Sequence, residues 1–168
     1  MKYYIKQKFL SVGDDFEVFD ESGKQVYYFD GKVLAIGRKT IVLDGAGAQV
    51  ALIRKKLLSF RPTFIVWSDG VELAKIFKKR LSFRKTFIID VPGPDDITVV
   101  GKLIEHDYSF YRNNYKIAEV SKKWFRGSDT YGVEIIDAND ALLILSCMVV
   151  IDMVCHPSRD SGFGNSKR

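Results

Sequence analysis

The eleven residues from Ala141 to Ile151 contain a single polar side chain, Ser146. No polar/apolar alternation runs through them, so the segment reads as a helix over about residues 139–155 rather than a half-buried strand. Asp137, Asn139 and Asp140 stand before it as N-cap candidates and as favourable charge at a helix start. Pro157 ends it, because the residue before a proline is steered out of the α region. A helix that is apolar on every side must be surrounded. It is shorter than the ~20 apolar residues of a membrane span, and Asp152 interrupts it. This points to a helix enclosed by sheet, with a short membrane anchor as the alternative.

The material for a sheet precedes it. Phe16–Phe19, the Asp20-Glu-Ser-Gly23 turn and Gln25–Phe29 read as strand, turn and returning strand. Val33–Ile36, Thr40–Leu43 and Gln49–Ile53 follow, then Thr63–Trp67 and Glu72–Phe77 around Ser68-Asp-Gly70. Thr86–Val91 stops at Pro92-Gly-Pro94, and Ile97–Ile104, Tyr108–Tyr111 and Tyr115–Val120 complete the series. A turn about every ten residues suggests a meandering barrel or sandwich.

One unit is used more than once. Residues 55–66, KKLLSFRPTFIV, return as residues 78–89, KKRLSFRKTFII, with nine of twelve positions identical at an offset of 23. A degraded copy runs through Lys122-Lys123-Trp124 and Tyr131-Gly132-Val133, and another through Lys8-Phe9-Leu10 and Phe16-Glu17-Val18. Such repetition marks a reused supersecondary unit: a strand, a Lys-Lys corner, and the aromatic strand that follows. Phe60 and Phe83 are expected to anchor the corners in the core. The lysines stay solvated, where they discourage edge-to-edge association or contact a ligand.

The 168 residues are enough for one domain with a sizeable core, assigned to residues 1–156, with a flexible tail at 157–168. Cys147 and Cys155 lie about two helical turns apart, too far to bridge, and read as buried thiols of a reducing compartment. No secretory signal pattern opens the chain, and a cytoplasmic location is expected, with a peripheral membrane position compatible with it. Charge is unevenly spread. From Arg54 to Lys85 ten basic residues face only Asp69 and Glu72, so this window carries +8 and the remainder −3 of the net +5. A concentrated positive field favours anionic partners.

Many short strands followed by one wholly apolar helix resemble the Tubby C-terminal-like superfamily, and within it the LURP-one-related proteins, relatives of the phospholipid scramblases. The resemblance rests on Tyr4-Ile-Lys-Gln-Lys-Phe-Leu-Ser-Val-Gly-Asp-Asp-Phe16, the Asp20-Glu-Ser-Gly23 turn, the Lys55-Lys-Leu-Leu-Ser-Phe60 corner, and Asp140-Ala-Leu-Leu-Ile-Leu to Val150-Ile-Asp152. It spans about residues 1–156. It implies a mainly β fold: about twelve antiparallel strands in a barrel around a central hydrophobic helix. Tubby-like proteins bind phosphoinositides through basic side chains on the barrel. Scramblases act on phospholipids and are associated with calcium, but this chain lacks their Pro-rich leader and Cys cluster. Asp14-Asp15 and Asp95-Asp96 lack the ligand spacing of an EF-hand.

Catalytic patterns are missing from the sequence: no GxSxG elbow, phosphate-binding Walker loop or CxxC pair occurs, and Gly45-Ala-Gly47 is a turn. His106, between Glu105 and Asp107, reads as a charge-flanked surface histidine. His156 follows the helix end, whose negative pole it suits. Asp152 must find donors or solvent, which suggests a structural or barrel-mouth role. Glu134 and Asp137 read as solvated strand-end carboxylates. No enzyme, cofactor or metal is expected. The sequence supports a binding module for anionic phospholipid headgroups through Arg54, Lys55, Lys56, Arg61, Lys78, Lys79, Arg80, Arg84 and Lys85, with Trp67 or Trp124 at the interface. Two alternatives stay open: nucleic-acid binding by the same cluster, with Phe60, Phe83 or Trp124 stacking on bases, and a protein-interaction scaffold. Oligomeric state is not legible.

Overall fold

A computed structural model describes residues 1–8, 15–31, 39–79, 86–122 and 130–156. Twelve antiparallel strands close into a barrel: β1 (Lys2–Lys8), β2 (Asp15–Asp20), β3 (Gln25–Asp30), β4 (Lys39–Asp44), β5 (Gln49–Lys55), β6 (Thr63–Ser68), β7 (Val71–Lys78), β8 (Phe87–Asp90), β9 (Ile97–Lys102), β10 (Asp107–Arg112), β11 (Tyr115–Ser121) and β12 (Thr130–Ile135). Every strand pairs with its neighbours in sequence, and β1 pairs with β12 to close the ring. One helix, α1 (Ala141–Cys155), follows a short 3₁₀ turn, η2 (Ala138–Asp140). The candidate strand at Val33–Ile36 and the tail at 157–168 lie outside the described residues.

Alternation explains the strands. On β2 Phe16 and Val18 are buried; on β8 Phe87 and Ile89; on β9 Ile97 and Val99; on β10 Tyr108 and Phe110. Their neighbours point outward and are less buried, the period-2 signature of a sheet with one dry face. The inward positions are not uniformly large. Ala51, Ala74 and Ala118 are buried as well, which leaves volume inside the barrel. That volume is filled by α1. Residues Ile144 to Met153 are all buried, including Ser146 and Asp152. By length and composition the stretch Ala138–Cys155 could cross a membrane, but here sheet surrounds it. Leu142, Leu143 and Val154 are only partly buried.

The meander gives the barrel two unlike ends. Four of the five connections from even to odd strands are acidic: Asp20 and Asp44 end β2 and β4, Asp69 lies between β6 and β7, and Asp95 and Asp96 between β8 and β9, while Asn113-Asn114 joins β10 to β11. Asp20 and Asp44 each accept two backbone N–H groups of their own turn through Oδ1. The helix enters at this end, where Arg112 grips Asp140 with two hydrogen bonds of 2.9 and 2.8 Å and Asp137 accepts the Asn139 N–H. Negative charge thus meets the positive pole of α1. Connections from odd to even strands form the other end, where Lys39, Arg54, Lys55, Lys78 and Lys122 cluster at strand termini and α1 finishes.

Candidate functional site

The repeated unit is the corner of this basic end. In the first copy Lys55 lies opposite Phe64, and the Lys56 N–H donates to the Thr63 carbonyl at 2.8 Å. In the second copy Lys78 lies opposite Phe87, and the Lys79 N–H donates to the Thr86 carbonyl at 2.8 Å. Register and closing hydrogen bond are conserved at the same offset of 23 residues that the sequence shows. The described ends of the degraded copies, Lys8 and Phe16 and Lys122 and Tyr131, fall at the same end.

Six of the nine predicted basic residues are described, and the structure brings them together. Arg54, Lys55, Lys56, Lys78 and Lys79 are exposed, and Arg61 is half-buried, all at one end of the adjacent strands β5, β6 and β7. Arg61 lies with its guanidinium 3.4 Å from the centroid of the Phe77 ring, tying the first corner to the end of β7. Arg80, Arg84 and Lys85, with Phe83 and Trp124, lie outside the described residues. Lys75, part of the same charge window in sequence, is separate: it pairs with Glu72 at 2.9 Å and sits opposite Asp90 toward the acidic end.

Phe60 corrects the sequence reading. It is not a core anchor but stands 103% exposed, with Leu58 at 92% and Leu57 at 69%. The cause is local. The hairpin has already closed at Lys56 and Thr63, so residues 57–62 project beyond the last ladder rung. Pro62 offers no N–H with which to extend the ladder back toward Phe60. Ser59 and Thr63 hydroxyls lie 3.1 Å apart, and the Thr63 hydroxyl donates to the Arg61 carbonyl, which shapes the loop from within. Leu52, Ile65 and Trp67 line a groove of about 300 Å³ together with Arg54, Lys55 and Lys56.

His106 also departs from expectation. It is 7% exposed rather than a surface residue. It closes the 3₁₀ turn η1 (Leu103–Glu105) in the left-handed region, at φ 50 and ψ 47, and this conformation aims the ring at the last turns of α1. There Nε2 lies 2.6 Å from Asp152 Oδ1. The buried helix carboxylate thus finds its partner in the β9–β10 connection, 46 residues away. His156, one turn beyond Asp152, donates its backbone N–H to the Asp152 carbonyl at 2.7 Å and stacks on the His106 ring, with centroids 4.9 Å apart and planes 6° from parallel. The Tyr131 ring packs on the other neighbour position, 4.3 Å from His106. Burial first, then the charge of Asp152, push the Tyr108 and Tyr131 phenols well above their ordinary range. Glu134 and Asp137 do not form a site: Glu134 is an exposed strand residue opposite Glu119, and Asp137 caps η2.

Comparison with known proteins places this architecture. No curated protein matches the chain. A crystal structure of a protein from Arabidopsis thaliana shares the fold with a TM-score of 0.67 over 91% of each chain, at 19% sequence identity. The family model described as LURP-one-related matches residues 1–152, from the first strand through most of the enclosed helix. The chain belongs to the LURP-one-related family, built on a closed twelve-stranded antiparallel barrel with one C-terminal helix.

Proposed function

We propose that this barrel is a non-catalytic binding module that docks on anionic phospholipid membranes with its basic end. One observation carries the reading: the first corner presents Leu57, Leu58 and Phe60 to solvent between Lys55 and Lys56 on one side in sequence and Arg61 on the other, with Lys78 and Lys79 at the same end of the barrel. Exposed apolar side chains framed by cations match the two layers of a membrane surface. The cations meet headgroup phosphates, each contributing about 1 kcal/mol near an acidic leaflet. The apolar tips reach the acyl boundary, where full burial of a Leu or Phe is worth about 1.5–3 kcal/mol.

The same corner bears on the nucleic-acid alternative. Phe60 is free to stack on a base, but Leu57 and Leu58 have no π face, and stacking is what retains single strands without sequence readout. Two aliphatic tips beside one aromatic favour lipid.

The test is sedimentation with vesicles. Phosphatidylcholine vesicles containing phosphatidylserine or a phosphoinositide should pull the protein down, and pure phosphatidylcholine should not. Raising salt should weaken the interaction, as should Lys78→Glu/Lys79→Glu. Equal recovery on acidic and neutral vesicles refutes the reading. Retention on single-stranded DNA with a steep salt slope, without vesicle binding, would transfer the surface to nucleic acid.

A further inference from the structure

We infer that His106, Asp152 and His156 form a binding site for one divalent transition-metal ion of the zinc class, at the basic end of the barrel. Three polar atoms of this cluster are buried and have no hydrogen-bond partner among the described residues: His106 Nδ1, Asp152 Oδ2 and His156 Nε2. One ligand atom can be taken from each residue such that all lie within 4.8 Å of one another. A buried polar atom left without a partner costs about 1–3 kcal/mol, and native structures leave few of them. Asp152 Oδ2 and His156 Nε2 can share a partner with His106 Nε2, which already faces the Asp152 carboxylate at 2.6 Å; Nδ1 of the same ring points away and takes no part.

The protein's own protons do not supply one. A neutral His106 donating through Nε2 to Asp152 leaves Asp152 Oδ2 and His156 Nε2 unmatched. Protonating His106 at Nδ1 changes neither. A cation accepts from both imidazoles and the carboxylate together, and offsets the buried negative charge of Asp152. The donor set selects the class of ion. Two imidazole nitrogens and one carboxylate suit zinc and its neighbours in the first transition row, whereas calcium and magnesium require oxygen ligands. The Tyr131 hydroxyl is also buried and without a partner among the described residues, and its ring lies 4.3 Å from that of His106.

The stacked arrangement imposes a movement. An imidazole lone pair lies in its ring plane, so two parallel rings cannot both point at one ion. Loading must turn His156 out of its stack on His106, take the place of the proton between His106 Nε2 and Asp152 Oδ1, and open that 2.6 Å contact toward the ~3.4 Å separation of ligands around a tetrahedral zinc ion, while donors up to 4.8 Å apart close toward it. His156 can turn at little cost. It follows the last residue of α1 at φ −127 and ψ 65, outside helical geometry, so its side chain rotates without breaking the helix. The backbones of His106 and Asp152 are held by the barrel and the helix, so in that half of the site only the side chains shift.

The experiment uses the full chain, stripped with a chelator and dialysed. Titration with Co²⁺ should give visible ligand-field bands that saturate near one ion per chain, and Zn²⁺ should displace Co²⁺ and raise the melting temperature. His106→Ala and Asp152→Asn both disturb the buried interior, so the deciding variant is His156→Ala, at the half-buried edge. It should melt like the metal-free parent and bind Zn²⁺ more weakly by at least the roughly 10–100-fold that even outer-shell partners contribute. Absence of saturable Co²⁺ and Zn²⁺ binding by the parent overturns the assignment, as does His156→Ala binding Zn²⁺ as tightly as the parent. Calcium binding in preference to zinc would overturn the class of ion.

Discussion

Replacing Leu58 and Phe60 together by serine separates the proposed membrane docking from folding. Both side chains are almost wholly exposed, at 92% and 103%, so their apolar area remains available to a partner and contributes nothing to the core. Full burial of each would be worth about 1.5–3 kcal/mol. A side chain resting in the headgroup boundary buries about half of its surface, so the pair supplies roughly 1.5–3 kcal/mol, and at 1.4 kcal/mol per decade the double variant should bind acidic vesicles about 10- to 100-fold more weakly. Because neither residue packs against the barrel, stability should stay within about 0.5 kcal/mol of the parent. The assay is vesicle sedimentation at graded lipid concentration, alongside thermal melting. What binding survives should be more salt-sensitive, since only the screened electrostatic part remains. Vesicle affinity within twofold of the parent would show that the projecting corner is not the insertion element. A large drop in melting temperature would show that the corner is structural after all.

Val150→Asp should abolish the cooperative fold, because Val150 is fully buried and an unpaired buried charge removes several kcal/mol from a domain with about 5–15 to lose. Leu143→Asp, at a partly buried position, should give a smaller loss in the same urea titration; equal losses would contradict the enclosed orientation of α1. Gly101→Ala should destabilise by about 2 kcal/mol or more, because φ is +144 and a Cβ would sit 2.6 Å from the Asp107 carbonyl oxygen and the Tyr108 Cα, both backbone atoms. Gly23→Ala, at φ +81 in open space, should show only the ~1–2 kcal/mol of left-handed strain. Alkali should unfold the protein as its tyrosines ionise. Tyr28 is held at about 12 by burial and by its hydrogen bond to Asp15, and Tyr108 and Tyr131 lie well above 10.0. Raised folded values mean that this stabilisation is whole below pH ~10 and falls as pH rises past it. Phenolate absorbance should therefore appear together with loss of structure; full ionisation in an intact barrel would refute the assignment.

The enclosed helix was legible because a rod without a polar face leaves few ways to be satisfied, and the repeat was legible because register and corner chemistry recur together in Lys55/Phe64 and Lys78/Phe87. Phe60 was misread because an aromatic at the border of a strand pattern resembles a core residue. Pro62 was the available signal, since it keeps the ladder from reaching past Thr63. His106 was misread for a different reason. Its charged neighbours Glu105 and Asp107 are a local cue for solvent, while its burial depends on a left-handed turn and on a carboxylate 46 residues away. Asp152 gave half of that signal: a carboxylate in a greasy helix demands a donor, and the chain has only two histidines. Pairing them required the closed topology, which places the β9–β10 connection over the final turn of α1.

A body with opposite charge at its two poles feels a torque near a charged plane. The acidic turns and the lysine-rich corners of this barrel lie at opposite ends of its long strands, so an anionic surface repels one pole while attracting the other. At physiological salt this acts only within about 8 Å of contact, which is the range in which a tumbling molecule commits to an approach. Under the proposed docking, the barrel would be aimed before it touches, and encounters would arrive pole-first with the apolar tips leading.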